Sequence, residues 1–367
     1  MYTEKDLVGI AKRENNNKRK YLVVNKKQGK HVPVSPNEAL EMFRSLAATV
    51  IEEYKNEKVL VVGFAETATA IGAAVAVEMN TQYIQTTREI IENVDYLFFS
   101  EEHSHATEQK LVKNDIESVI YDIDRIIFVE DEVTTGNTIL NIIKILEKLY
   151  PDTVNYSVAS ILNGMDEASQ QLFDERNIKL HYLVKTNHAS YDEIAEGFAG
   201  DGKYISYDVT ACQNSIKEVD VELNQNARRL TSSAEYVQAC DNVWDEINKK
   251  ISFDNTQNVL VLGTEEFMYP AIYLAKKAED KGMTVRTHST TRSPIAVSSE
   301  ADYPLHERYE LRSLYASERV TFIYDINKYD CVLIITDSEN KNKEGINSLL
   351  NALNLKGNKN IILVKCK

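Results

Sequence analysis

The segment RIIFVEDEVTTGNTILNIIKIL, residues 125–146, runs from an apolar stretch into two adjacent acids, Glu130 and Asp131, then through a short threonine–glycine loop into an apolar helical pattern. Where a loop enters a helix, the first backbone N–H groups lack partners within the helix and the helix dipole favours an anion. The amides of Thr134, Thr135, Gly136, Asn137 and Thr138 are therefore candidates to cradle a phosphate, with the threonine hydroxyls as extra donors. Gly136, lacking a Cβ, lets the backbone turn and approach a ligand closely. Glu130 and Asp131 would repel a phosphate, so a neutral hydrogen-bonding part of the ligand must face them. A ribose diol beside a 5'-phosphate meets both demands. Asn137 occupies the place where a Walker A loop needs its lysine, which excludes that loop. The bland alternative is a plain strand with an acidic edge and a helix cap.

This arrangement resembles the 5-phosphoribosyl-1-pyrophosphate (PRPP) signature of type I phosphoribosyltransferases: apolar strand, paired acids, then TTG and Thr. The resemblance implies that Glu130 and Asp131 hold the ribose hydroxyls, that residues 134–138 hold the 5'-phosphate, and that the reaction depends on Mg²⁺. It also implies a pyrophosphate-binding loop in GFAETATAIG, residues 63–72, with Gly63, Ala65, Glu66, Thr67 and Thr69 as candidates. Small side chains suit backbone contacts there, whereas Glu66 is unusual beside an anion; either it or Asp131 is a candidate to meet PRPP-bound Mg²⁺ through water. A tight helix cap is the alternative for this loop. Arg88 is a candidate for the charge-assisted fork that a diphosphate requires, or else an ordinary surface arginine. The polar stretch 99–112 is expected to form a lid that excludes water, with His103 or His105 as general acid or base; a solvated loop, or a weak metal set with Glu101, stays open. Residues 25–36 and 183–193, with Lys30, His31, Lys185, Asn187 and His188, are candidates for a base-recognising hood or exposed polar loops.

These loops need a scaffold. KVLVVG at 58–63 is a continuous apolar run, as in a strand buried on both faces, and is preceded by an amphipathic helix from Pro36. Further strands are expected at 83–87, 96–100, 125–130 and 154–162, with a helix at 138–150, an alternation that implies an α/β domain built on a mostly parallel sheet. Ligands of such sheets bind beyond the carboxyl ends of the strands. The order then repeats: NVLVLG at 258–263, Glu266, a helix, Thr290-Thr291-Arg292, and CVLIITD ending at Asp337. Gly63 and Arg88 lie 25 residues apart, Gly263 and Arg292 29 apart, which supports two copies of one fold, the second diverged; a chance likeness of generic α/β order is the alternative.

The second copy carries HSTTRSPIAV, residues 288–297, and this motif sharpens the resemblance to phosphoribosyltransferase-plus-TRSP proteins of bacterial tellurite-resistance and stress gene neighbourhoods. The expected division is a type I phosphoribosyltransferase domain with a small hood at 1–205 and a degenerate TRSP domain at 206–367. TDSENKNKEG replaces the TTG loop in the second copy, so PRPP should not bind there in the same way. Thr290, Thr291, Arg292 and Ser293 nonetheless make a candidate anion pocket, with a structural or subunit-contact role as the alternative.

With 367 residues, 43% hydrophobic and 27% charged, the chain is an ordinary globular protein of about two domains. A net charge of −14 argues against a nucleic-acid surface, and without a membrane-spanning run or signal-peptide core a cytoplasmic location is expected. Four dispersed cysteines lack the pairing of zinc or redox motifs. The expected activity joins 5-phosphoribosyl from PRPP to a nitrogenous base with release of pyrophosphate, or the reverse from a nucleotide. A non-catalytic PRPP or nucleotide sensor is the rival, and whether the protein is a homo-oligomer stays open.

Overall fold

Apolar runs without alternation belong to strands covered on both faces. Val59–Gly63 and Cys331–Thr336 are buried at every position, and each sits inside a parallel sheet. The structure, a computed structural model, describes residues 1–14, 19–99, 109–211, 216–339 and 343–367.

The first sheet has six strands in the order Thr231–Ser232, Gln82–Gln85, Val59–Gly63, Arg125–Val133, Asn155–Asn163, Lys179–Lys185. All neighbours are parallel except the outermost pair, Thr231–Ser232 on Gln82–Tyr83. The second sheet has five parallel strands in the order Lys217–Val221, Ile361–Cys366, Cys331–Thr336, Asn258–Gly263, Thr284–Ser289. Two expectations need adjusting. Tyr96–Phe99 is no part of the main sheet but pairs antiparallel with Gln109–Val112, and the strand expected at 125–130 runs on to Val133, so both acids lie within it.

Four strands of each sheet follow the same order and direction, and the register agrees residue by residue. Gly63 faces Val129 and Gln85; Gly263 faces Ile335 and Ser289. Asp131 therefore corresponds to Asp337, Arg88 to Arg292 and Ala65 to Glu265. The hydrogen bonds repeat too: Ala65 N donates to Thr86 Oγ1 at 2.8 Å and Glu265 N to Thr290 Oγ1 at 3.0 Å. A hairpin is tied on at the same point, Thr87 pairing with Lys110 and Thr291 with Phe322. Chance order does not reproduce register and side-chain bonds together.

The chain packs into two compact units that interleave along the sequence. One comprises residues 40–186 and 224–239, the other residues 1–39, 187–223 and 240–367, whereas the expected division had a single boundary at 205/206. In the first unit the segment 224–239 is held at the sheet edge, where Gln85 N donates to Ala227 O at 2.7 Å and Arg229 forks onto Asp115 through two bonds of 2.7 Å. In the other unit the N-terminal hairpin, Val8–Lys12 with Tyr21–Asn25, buries Ala11 and Val24 among Ile295, Val297, Tyr303 and Leu305.

The central strand and its helix approach each other closely. A Cβ on Gly72, in the helix Thr69–Met79, would lie 2.7 Å from Gly63 Cα. Gly72→Ala is expected to lower stability by about 1–3 kcal/mol in denaturant melts, because the obstacle is backbone and cannot rotate away.

Candidate active site

The acids sit at the carboxyl end of the strand Arg125–Val133, and successive strand residues face opposite ways. They have different neighbours accordingly. Asp131 Oδ1 accepts from Thr67 Oγ1 at 2.9 Å, while Glu130 is stabilised in its charged form by Arg88. Desolvation dominates both: Asp131 is raised to about 6, chiefly by burial and then by Glu132, against the lowering bond from Thr67. Glu130 is pushed well above the usual carboxylate range by burial and by the charge of Asp131. Burial thus favours the protonated, neutral form of both acids.

After Val133 the chain turns at Gly136, whose φ of +71° suits glycine, and enters the helix Asn137–Leu149. That helix has no acid in its first turn and no side-chain cap. Thr135 and Asn137 are exposed and Thr134 and Thr138 half-exposed, so this helix start faces solvent, with Asn137 N donating weakly to Thr135 Oγ1 at 3.4 Å. Gly136 is buried, and a Cβ there would lie 2.4 Å from Phe173 Cζ. The loop has both the geometry and the lack of negative charge that an anion requires.

The loop after Gly63 is tightly tied. Ala65 N donates to Thr86 Oγ1, Gln109 Nε2 donates to Ala65 O at 2.6 Å, and Thr86 Oγ1 donates to Gln109 Oε1 at 2.9 Å. The Ala65–Glu66 peptide is cis. Two of the loop's expected ligand donors are therefore engaged internally: the Ala65 amide by Thr86 and the Thr67 hydroxyl by Asp131. Thr69 is buried and bonds to Glu66 O at 3.4 Å, Glu66 is 8% exposed, and Arg88 is half-buried at the neighbouring strand end. Gln109 was not among the residues expected from sequence; its signal, an amide spaced 23 residues from its partner Thr86, has no local pattern. His103 and His105, with residues 100–108 of the expected lid, lie outside the described residues; the end of that stretch, Gln109–Val112, is a strand paired with Tyr96–Phe99.

The hood candidates are not assembled as expected. Lys30 is wholly buried and donates to Glu265 O at 2.8 Å and Thr290 O at 2.9 Å, so it is no base-binding donor. His188 Nδ1 bonds with Tyr21 OH at 2.7 Å and Asn187 Oδ1 accepts from Ala189 N. Lys185 alone stands at the carboxyl end of the first sheet, on Asn163 Oδ1 at 3.1 Å.

In the second half, Thr290 and Thr291 are buried, and Arg292 pairs with Glu265 at 2.7 Å and Glu266 at 3.1 Å. The open anion pocket expected around Arg292 is thus filled by the protein's own carboxylates. Thr291 and Ser293 serve the backbone: Thr291 Oγ1 accepts from Ser293 N at 3.2 Å, and Ser293 O from Tyr324 OH at 2.6 Å. Among the described residues no helix is long and apolar enough to cross a membrane.

Comparison with known proteins agrees with the two halves. No curated protein matches the chain. Similar solved structures are adenine phosphoribosyltransferases: that of Rhodothermus marinus, 14% identical, covering 50% of this chain and 96% of its own, TM-score 0.36. That of Trypanosoma brucei, in complex with AMP, pyrophosphate and ribose-5-phosphate, is 17% identical, covering 49% and 76%, TM-score 0.36. That of Giardia lamblia, with 9-deazaadenine, is 15% identical, covering 51% and 100%, TM-score 0.35. Residues 226–353 match the TRSP domain found C-terminal to a family of phosphoribosyl transferases. Since the phosphoribosyl transferase family model matches residues 7–190, half of the chain, the protein belongs to the phosphoribosyltransferases and carries a TRSP domain behind its enzyme domain.

Proposed function

We propose that the first half transfers a 5-phosphoribosyl group from PRPP to a nitrogenous base with release of pyrophosphate, or runs the reverse reaction on a nucleotide. The observation that carries this reading is the direct run from Glu130 and Asp131 into an uncapped helix start free of acids. The two carboxylates accept hydrogen bonds from the ribose hydroxyls and, being partly desolvated, favour the positive charge that develops on the ring as the C1 bond breaks. Backbone amides of 134–138 hold the 5'-phosphate, and Arg88 lies at the strand end where the diphosphate would leave.

Mg²⁺ fits this site. Glu66, Glu130, Asp131 and Glu132 outnumber Arg88, and after burial the next cause raising both Glu130 and Asp131 is a neighbouring carboxylate, a like-charge repulsion that a cation would relieve. No cluster of three His, Cys, Asp or Glu residues among the described residues would hold a metal alone, so ligand oxygens would complete its shell, with Asp131 or Glu66 reached through water. When bound it neutralises charge on the departing diphosphate.

The test is incubation of the full chain with PRPP, MgCl₂ and a panel of purines, pyrimidines and other nitrogen heterocycles while pyrophosphate release is followed. Turnover with one acceptor supports the reading; PRPP binding without turnover on any acceptor favours a sensor instead. Within this reading Thr86→Val, which removes the bond to Ala65 N, is expected to raise the KM for PRPP about 10-fold with little change in kcat, as measured by steady-state kinetics.

A further inference from the structure

We propose that the second half retains a phosphate-type anion seat and closes it from within, the Glu265 carboxylate occupying the anion's place and the Tyr315 hydroxyl that of a sugar hydroxyl. The naming of the seats rests on the reading of the first half; the test below does not use that site.

Register puts Glu265 where the first copy has Ala65, and Arg292 where it has Arg88. Glu265 has a φ of +49°, in the left-handed region that residues with a Cβ enter rarely. Its side chain is 2% exposed. Oε2 accepts from Arg292 Nε and from Arg319 Nη1, each at 2.7 Å, and Oε1 accepts from Ser313 Oγ. Arg292 also meets Glu266 Oε1 at 3.1 Å, and buried Lys30 binds the Glu265 carbonyl. Two guanidinium groups therefore meet two carboxylates, while the Lys30 ammonium lies on the backbone carbonyls of Glu265 and Thr290. Two guanidinium groups and a hydroxyl converging on one carboxylate is the donor set that recognises a phosphate or diphosphate.

The sugar side is closed in the same manner. Asp337, the counterpart of Asp131, accepts from Tyr315 OH at 2.6 Å, and Thr264 Oγ1 lies 2.7 Å from the same hydroxyl. Ser313, Tyr315 and Arg319 all come from the turn joining the strands Glu307–Arg312 and Val320–Tyr324, and Ser338 Oγ fastens that turn at Leu314 O, 2.6 Å away. The hairpin is attached through Thr291 of the TRSP motif, whose backbone exchanges two bonds with Phe322 at 2.8 and 2.7 Å. The motif thus secures a plug.

The experiment compares thermal unfolding of full-length wild type and Glu265→Ala with and without millimolar inorganic pyrophosphate, at ionic strength matched with chloride. Removing the carboxylate takes from the partly buried Arg292 and Arg319 the group they share, leaving Arg292 on Glu266, and the melting temperature is expected to fall by several degrees. Pyrophosphate should then raise the variant's melting temperature saturably and by several degrees more than it raises that of wild type. The first half is identical in both proteins, so any pyrophosphate bound there cancels. Should the variant be unfolded in chloride, refolding in pyrophosphate is expected to recover folded protein that chloride does not. An equal shift in both proteins, or no gain in folded protein over chloride, overturns the proposal.

Discussion

Asp131→Asn is expected to lower kcat/KM for phosphoribosyl transfer by about 10²–10³-fold, whereas Asp337→Asn, at the matching register position, leaves it unchanged. The asparagine keeps an oxygen for Thr67 but loses the charge that faces the developing cation. Stability should move the other way. Asp131 is raised from 3.8 to about 6 in the folded protein, so the unfolded chain gives up this proton first as pH rises. Folding stability is then full below about 4, falls between about 4 and 6, and stays reduced by about 2–3 kcal/mol above that. Asp131→Asn lacks the group and should be more stable than wild type at pH 7 without ligand, in urea melts. For activity the sign is opposite: kcat/KM should rise with pH through about 6 as the acceptor ionises, and this limb should vanish in the variant. A variant that is both less active and less stable would point to misfolding and refute the assignment.

Cutting the chain between residues 205 and 206 should abolish cooperative folding of both pieces. Residues 1–39 and 187–205 would remain with the first piece but pack with residues 240–367, while residues 224–239 would leave with the second piece but pack with residues 40–186. The first piece loses the edge strand Thr231–Ser232 and the Arg229 fork, exposing Asp115. The second loses Ala11 and Val24 from a cluster with Ile295, Val297, Tyr303 and Leu305, and with them the bond of Lys12 N to Tyr303 OH at 2.8 Å. Each fully buried aliphatic side chain contributes about 1.5–3 kcal/mol, and total stabilities are only about 5–15 kcal/mol. Separately expressed pieces should give broad, non-cooperative melts by circular dichroism, and co-expression should restore a sharp one. Two sharp melts from separate pieces would contradict the interleaved packing.

The elements were legible where periodicity is local. Val59–Gly63, Asn155–Asn163, Asn258–Gly263 and the helices from Pro36 and Asn137 fall within a residue or so of their expected bounds, because an uninterrupted apolar run or an amphipathic period is decided by neighbours in sequence. The acid-to-threonine segment was legible for the same reason, and so was the repeat. What stayed hidden depends on distant partners. Nothing near Arg292 indicates that Glu265 lies 2.7 Å away, and nothing near Lys30 that its ammonium is buried against residues more than two hundred positions on. Gln109 looks like part of a polar stretch until Ala65 is placed beside it. The interleaving is invisible for the same cause, since a hairpin of alternating residues does not name the surface it will cover.

The outer strand of the second sheet has an unusual origin. Lys179–Lys185, which flanks Asn155–Asn163 in the first sheet, follows that strand in the chain; Lys217–Val221, which flanks Ile361–Cys366 in the second, precedes its whole repeat. A β-ladder responds only to direction and spacing, so a ribbon fed from the head of a repeat is as good a neighbour as one fed from its tail. The two copies therefore differ in the end from which the outer strand is fed, and a chain rearranged to give the second copy a tail-fed connection should form the same sheet.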